Sequence, residues 1–170
     1  MPFPRSRLDA YLVFLDTTLS PDSLDVQTQL WCLKKYIFKD GQRGPKYKEF
    51  GFGAFNKMMV VKSNTSMLYA NHQGGYRVFC PNNDKIVTVD FTNGVAKWRV
   101  QQNAPQDNLV HCSGCNDEHA LVDFIGKPNF AFGKLAFHFV DIESSTLNES
   151  VLREVENNIG RCSLVFKRVG

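Results

Sequence analysis

The chain has 170 residues, 43% of them hydrophobic and 22% charged, with a net charge of +3. That much apolar side chain can bury a core, which excludes a disordered chain, and the length fits one domain spanning 1–170. The small, dispersed basic excess excludes the basic stripe of a dedicated duplex DNA binder, and no run approaches the roughly 20 apolar residues of a membrane-spanning helix.

The opening "MPFPRSRLDAYLVFLD" has too short an apolar run for a signal peptide, and no small-residue cleavage site follows it. Without an export signal, the five cysteines point to a cytoplasmic protein with free or metal-bound thiols rather than disulfides. Residues 8–38 read as strand then helix. "LDAYLVFL" is a buried strand, and Ser20-Pro21 supplies a cap and a first-turn proline. Val26, Leu30, Leu33 and Ile37 then recur at helical spacing, giving a helix over 21–38. Cys32 within it is expected to be a packing residue.

Residues 39–57, "KDGQRGPKYKEFGFGAFNK", have no period, because glycines and a proline interrupt them. Two readings stand for "FGFGAF": a glycine-kinked edge strand with buried phenylalanines, or an exposed aromatic loop that docks a partner. In the second, Tyr47, Phe50, Phe52 and Phe55 are the anchors, with Arg43 and Lys48 on the rim, since aromatic anchors dominate interface energetics.

Residues 58–125 read as an antiparallel β-meander. Its strands fall at 58–62, 66–70, 76–80, 85–91 and 95–101, joined by "SNTS", "NHQGG", "PNND" and "TNG" turns. Two of its loops carry cysteines. "HCSGCND" has the C-x-x-C spacing of a knuckle that delivers two thiolates from one tight turn, and "CPNND" has Cys80 with Asn83 where a second thiol would stand. Cys80, Cys112, Cys115 and His119 are the candidate ligands of a structural zinc ion, with His111 and Asp84 less well placed. Two alternatives remain open: cysteines acting as small buried hydrophobes, and a redox dithiol. A full set of protein ligands leaves no open position for water, so such a site is structural and not catalytic.

Residues 134–169 read as strand–helix–strand. "KLAFHFVDI" is a strand, Thr146 to Glu149 is a capping box, and Leu147, Val151, Val155 and Ile159 mark one helical face that Gly160 ends. "RCSLVFKRV" closes the chain as a strand, with Cys162 packed inside it. The fold expected is α+β: a mixed, mostly antiparallel sheet with a central meander, two helices and a terminal strand–helix–strand unit. His138, between Phe137 and Phe139, is expected to be structural. No linear catalytic motif is present, and a non-enzyme is expected.

The stretch from "CSGCNDEHALVDF" to "GRCSLVFKRV", with the loop before it (roughly 76–169), resembles small uncharacterised bacterial cytoplasmic proteins. In these a C-P-x-C-type knuckle and a downstream His precede a terminal strand–helix–strand. The first knuckle ordinarily has two cysteines, and Asn83 departs from that. In type, the compact α+β chain is similar to immunity proteins that neutralise secreted bacterial toxins. The resemblance implies a protein-binding module with a toxin partner. The competing reading is a zinc-ribbon-like nucleic-acid binder presenting Lys85, Lys97, Trp98 and Arg99 to phosphates or an unstacked base.

Overall fold

The computed structural model describes residues 6–16, 19–23, 26–27, 38–39, 42–43, 52–53 and 55–170. Its centre is β1 (Arg7–Phe14), whose period-2 side chains serve two faces. Ala10, Leu12 and Phe14 are buried in one core, and Val13 in another. A strand buried on both faces belongs in the middle of a sheet. β1 lies between β9 (Ala131–Val140) and β10 (Cys162–Val169), and β4 (Lys57–Tyr69) closes the order β10-β1-β9-β4. Ala10 faces Phe139 on one side and Phe166 on the other.

The fold is α+β as expected, and every strand pairing among the described residues is antiparallel, so no parallel pair makes the sheet mixed there. The short β2 (Phe38–Lys39) and β3 (Gln42–Arg43) pair only with each other among the described residues. The helix expected over 21–38 therefore ends before Phe38. Its cap is Ser23 rather than Ser20: the Ser23 hydroxyl accepts from the Val26 N–H at 3.3 Å and its carbonyl from the Gln27 N–H at 2.9 Å. Residues 24–25 and 28–37, Cys32 among them, lie outside the described residues.

The terminal unit forms as the apolar spacing predicts. β9, a helix (Glu149–Asn158) and β10 make a β-α-β unit with β1 inserted between its strands. The helix buries Val151 and Val155 against Phe137, Phe139 and Leu135, with Leu147 and Ile159 packed alongside. Phe137 meets Phe14 edge-on at 5.3 Å; each such fully buried side chain contributes about 1.5–3 kcal/mol. The cap is Asn148, whose side chain accepts from the Ser150 N–H at 3.0 Å. Thr146 instead bonds Ser144, so the helix starts two residues later than the capping box suggests. Burial, then the nearby Glu156 carboxylate, pushes the Cys162 thiol up to about 12, in keeping with a packing role.

The meander is not formed. The strands expected at 58–62 and 66–70 are one strand, β4, with an irregularity between Lys62 and Met67 where "SNTS" was expected to turn. Beyond it the β4–β9 pair curls over the second face. The Tyr69 ring lies 5.2 Å from Tyr11, two strands away in sheet order. Side chains then cap the outer edge of β10. Asn71 accepts from the Arg168 N–H at 2.7 Å, Gln73 from the Gly170 N–H at 3.0 Å, and Asn129 donates to the Leu164 carbonyl at 2.9 Å. Capped polar groups cannot template another strand.

The strands expected at 85–91 and 95–101 are a single helix, α1 (Thr88–Gln101), and the terminal helix is α2. Phe91, Gly94, Val95 and Trp98 bury one helical stripe against Val78, Leu121, Phe124, Phe130 and Phe132. Gly94 is a close-approach residue: a Cβ there would lie 2.4 Å from one Val110 methyl and 3.3 Å from the other. Val110 is β-branched and restricted at χ1, and both of its methyls crowd the added atom, so overpacking, about 1–3 kcal/mol, opposes the helix propensity gained, about 1 kcal/mol. Gly94→Ala is expected to lower the urea midpoint, with a net loss of stability of up to about 2 kcal/mol; an unchanged midpoint would show that Val110 yields.

Candidate metal centre

Residues 71–130 form a module inserted between β4 and β9, organised by two loops of one design. The first follows β5 (Arg77–Phe79), and Phe79 bridges to Ile86 on its return. Within it the Cys80 N–H donates to the Lys85 carbonyl at 2.8 Å, and the Asp84 N–H to the Cys80 carbonyl at 3.2 Å. The second joins β6 (Leu109–His111) to β7 (Glu118–Ala120). There the Cys112 N–H donates to the Asp117 carbonyl and the Asn116 N–H to the Cys112 carbonyl, both at 2.8 Å. Asp84 (φ 59°) and Asn116 (φ 63°) take the same left-handed position, which these two residue types tolerate better than most. The module closes through β8 (Ile125–Lys127), paired with β5.

Each loop aims backbone amides at its first sulfur. Cys80 Sγ accepts from the Asn82 N–H at 3.4 Å, and the Asn83 amide near Cys80 and the Gly114 and Cys115 amides near Cys112 favour the thiolates electrostatically. Asn83 is thus the structural counterpart of Cys115. It contributes no donor to the centre and instead joins the loops, donating to the Gly114 carbonyl at 2.6 Å and accepting from the Lys85 N–H at 3.2 Å. Gly114 permits this stacking, since a Cβ there would lie 3.1 Å from the Cys80 Cβ.

The fourth group comes from β7. His119, opposite Val110, rests edge-on against Phe124 at 5.7 Å and brings Nε2 to 3.1 Å from Cys115 Sγ. One donor atom from each of Cys80, Cys112, Cys115 and His119 lies within 4.8 Å of the others. Three thiols and an imidazole converging on one point could hold a metal ion, and these are the four residues expected from the sequence. Cys80 and Cys112 are fully buried, whereas Cys115 and His119 are partly exposed. Burial pushes both buried thiols up. Around Cys80 the Asn82 and Asn83 amides and the neighbouring thiols bring the net below the ordinary value, while Cys112 stays above it. A thiolate at Cys80 would find a donor in place, the Asn82 N–H at 3.4 Å. Behind the second loop, Asp90 of α1 accepts from the Ser113 N–H at 2.9 Å and hydroxyl at 2.6 Å, which holds its carboxyl below the usual range.

The other expected contacts fare differently. Phe52 and Phe55 are buried, their rings 4.9 and 5.3 Å from Phe139. They are core residues and do not face a partner, because the sheet end they cover is apolar. Arg43 lies in β3, and Tyr47, Lys48 and Phe50 lie outside the described residues. Trp98 cannot stack a base: it is 7% exposed, meets Phe132 edge-on at 5.2 Å and donates to the Asn103 carbonyl at 2.8 Å. Lys85, Lys97 and Arg99 are exposed.

One buried polar group was not read from the sequence. Asp9, 0% exposed, accepts from His138 Nε2 at 2.8 Å, Arg7 Nε at 3.0 Å and the Asp141 N–H at 3.0 Å. His138 is stacked on Tyr11 at 4.1 Å, a packed position that accords with a structural role. An acid inside the run "LDAYL" was the one sign of it.

No protein-family model, curated protein or solved structure matches the chain. Among the described residues, no helix is long and apolar enough to cross a membrane.

Proposed function

We propose that the chain is a cytoplasmic, non-catalytic protein-binding module whose Cys80–Cys112–Cys115–His119 centre holds one structural zinc ion, and that its partner is a toxin of the kind immunity proteins neutralise. The observation that carries the metal reading is the donor set. Thiolate and imidazole suit zinc, and a tetrahedron with Zn–S of about 2.3 Å has edges of about 3.8 Å, inside the spread of these four atoms. Four protein ligands fill the tetrahedron, so the ion organises the module and offers no position for water to be activated.

The surface that engages the partner is then the metal module itself. Of the eight large hydrophobic side chains exposed among the described residues, six lie on it: Ile86, Val89, Val100, Leu109, Val122 and Ile125, against Met59 and Met67 elsewhere. Protein interfaces draw on such exposed apolar groups. The nucleic-acid reading has lost its stacking residue with the burial of Trp98.

The test is co-expression with the product of the adjacent open reading frame. A one-to-one complex, restored growth and at least tenfold weaker binding by the Ile86→Glu/Val89→Glu variant, about 1.4 kcal/mol, support the reading. Oligonucleotide binding that falls steeply with added salt would replace it with the nucleic-acid alternative. Zinc near one equivalent per chain is expected on elemental analysis, and less than about 0.2 equivalents would remove the metal centre. Asn83→Ala, which loosens the stacked loops without touching a ligand, is expected to weaken zinc retention about 10–100-fold in competition with a chelator, as the loss of a supporting hydrogen bond does.

A further inference from the structure

A cleft of about 480 Å³ lies between the sheet and the metal module, within the size range of small-molecule sites. Phe124, Phe130 and Phe132 line it with rings that are otherwise buried, and Phe130 and Phe132 meet edge-on at 5.9 Å. The rim is charged with both signs. Arg161, in the turn between α2 and β10, is fixed by its carbonyl, which accepts from the Leu15 N–H at 2.9 Å. Asp123 comes from a short 3₁₀ turn, Leu121–Asp123, on the module. Among the described residues neither has an ion-pair partner, and they do not pair with each other.

Two further groups complete the lining. Gln106 Oε1 is buried and has no hydrogen-bond partner, a state that costs about 1–3 kcal/mol unless something donates to it. Ser163 Oγ accepts from Asn129 at 2.7 Å, so its own proton remains available to donate. A cation, an anion, an unfilled acceptor and a hydroxyl donor thus surround an aromatic floor.

We propose that this cleft binds a free α-amino acid with a large apolar side chain. The carboxylate pairs with Arg161 and Ser163, the ammonium with Asp123 and Gln106, and the side chain rests on the phenylalanine rings. A purely anionic ligand would face Asp123 across the cleft, a purely cationic one would face Arg161, and a neutral apolar one would leave Gln106 Oε1 unsatisfied. Only a zwitterion with an apolar body answers all four groups. The site needs the metal module folded but does not depend on which partner that module engages.

Titration calorimetry of the zinc-loaded full chain with L-phenylalanine and L-leucine tests this. Binding with Kd below about 1 mM is expected. Phenethylamine and 3-phenylpropionate, each lacking one charge, are expected to bind at least about tenfold more weakly, the loss of one charge-assisted hydrogen bond. Arg161→Gln and Asp123→Asn should each weaken L-phenylalanine by a similar factor, with zinc content and thermal midpoint unchanged as the control for folding. No heat up to about 10 mM of either amino acid, or equal binding of the singly charged analogues, overturns the proposal.

Discussion

With zinc in the Cys80–Cys112–Cys115–His119 centre as proposed, stripping it is expected to unfold the metal module and to leave the β1–β9–β10 core standing. The module's strands β5, β6, β7 and β8 have three residues each and form two-stranded sheets, which are marginal in water without another support. Two of its core side chains, Cys80 and Cys112, are fully buried thiols that belong to the candidate donor set. A structural zinc contributes about 10–16 kcal/mol of apparent binding free energy, comparable with or above the whole stability of an ordinary domain. Chelation, or Cys112→Ser, is therefore expected to lower the thermal midpoint by more than about 10 °C. Hydrogen exchange should lose protection across 77–127 while β1 and β9 keep theirs. A melting curve indifferent to chelator would show that hydrophobic burial alone holds the module, and the cysteines would then be small packing residues.

The four donors were legible because their chemistry is local. A C-x-x-C spacing with a glycine inside dictates a tight turn, and a histidine on the returning strand is carried back toward it. Even Asn83 could be placed, since it stands three residues after Cys80 just as Cys115 follows Cys112. The terminal strand–helix–strand was legible for a similar reason: Val151, Val155 and Ile159 repeat at helical spacing between two apolar strands.

α1 was not legible because its residues argue against it. Five of its fourteen, Thr88, Val89, Thr92, Val95 and Val100, are β-branched, and Asn93-Gly94 is a hairpin signal. What overrides them is tertiary. Phe91, Val95 and Trp98 bury one face, and Gly94 lets Val110 approach as no other residue would. In β4 the turn-forming "SNTS" is likewise absorbed into a strand, because pairing with β9 resumes past it at Met67. The direction of Phe52 and Phe55 had no local sign at all. Both readings of "FGFGAF" use the same residues, and only the position of Phe139 beneath them decides.

The partner of Asp9 had no local sign either, since His138, which donates to its carboxylate across the sheet, lies 129 residues away in sequence. Asp9→Ala is nevertheless expected to cost about 3–5 kcal/mol, because it strands the buried His138 ring N–H and the part-buried Asp141 N–H at once. Arg7, whose side chain is 44% exposed, returns to water and adds little. The loss should grow in acid. Burial acts to raise the Asp9 carboxyl, but the Asp141 amide, His138 and Arg7 together hold it below its usual value. Burial also holds His138 below its ordinary 6.5, against the upward pull of Asp9. Below pH 6.5 the unfolded chain therefore binds a proton that folded His138 resists, and stability falls as pH falls. His72, lowered by burial and by Lys167 and Arg99, acts in the same direction. Without Asp9 nothing opposes the burial of His138 or the repulsion of Lys167, and its folded pKa drops further. The gap in unfolding free energy between wild type and Asp9→Ala should widen from pH 7 to pH 5, whereas His138→Gln should flatten the dependence over that range. Taking differences between zinc-loaded variants at each pH cancels the acid lability of the thiolate centre. A gap that stays constant between pH 7 and 5 would mean that His138 draws its stability from stacking on Tyr11 and not from the carboxylate.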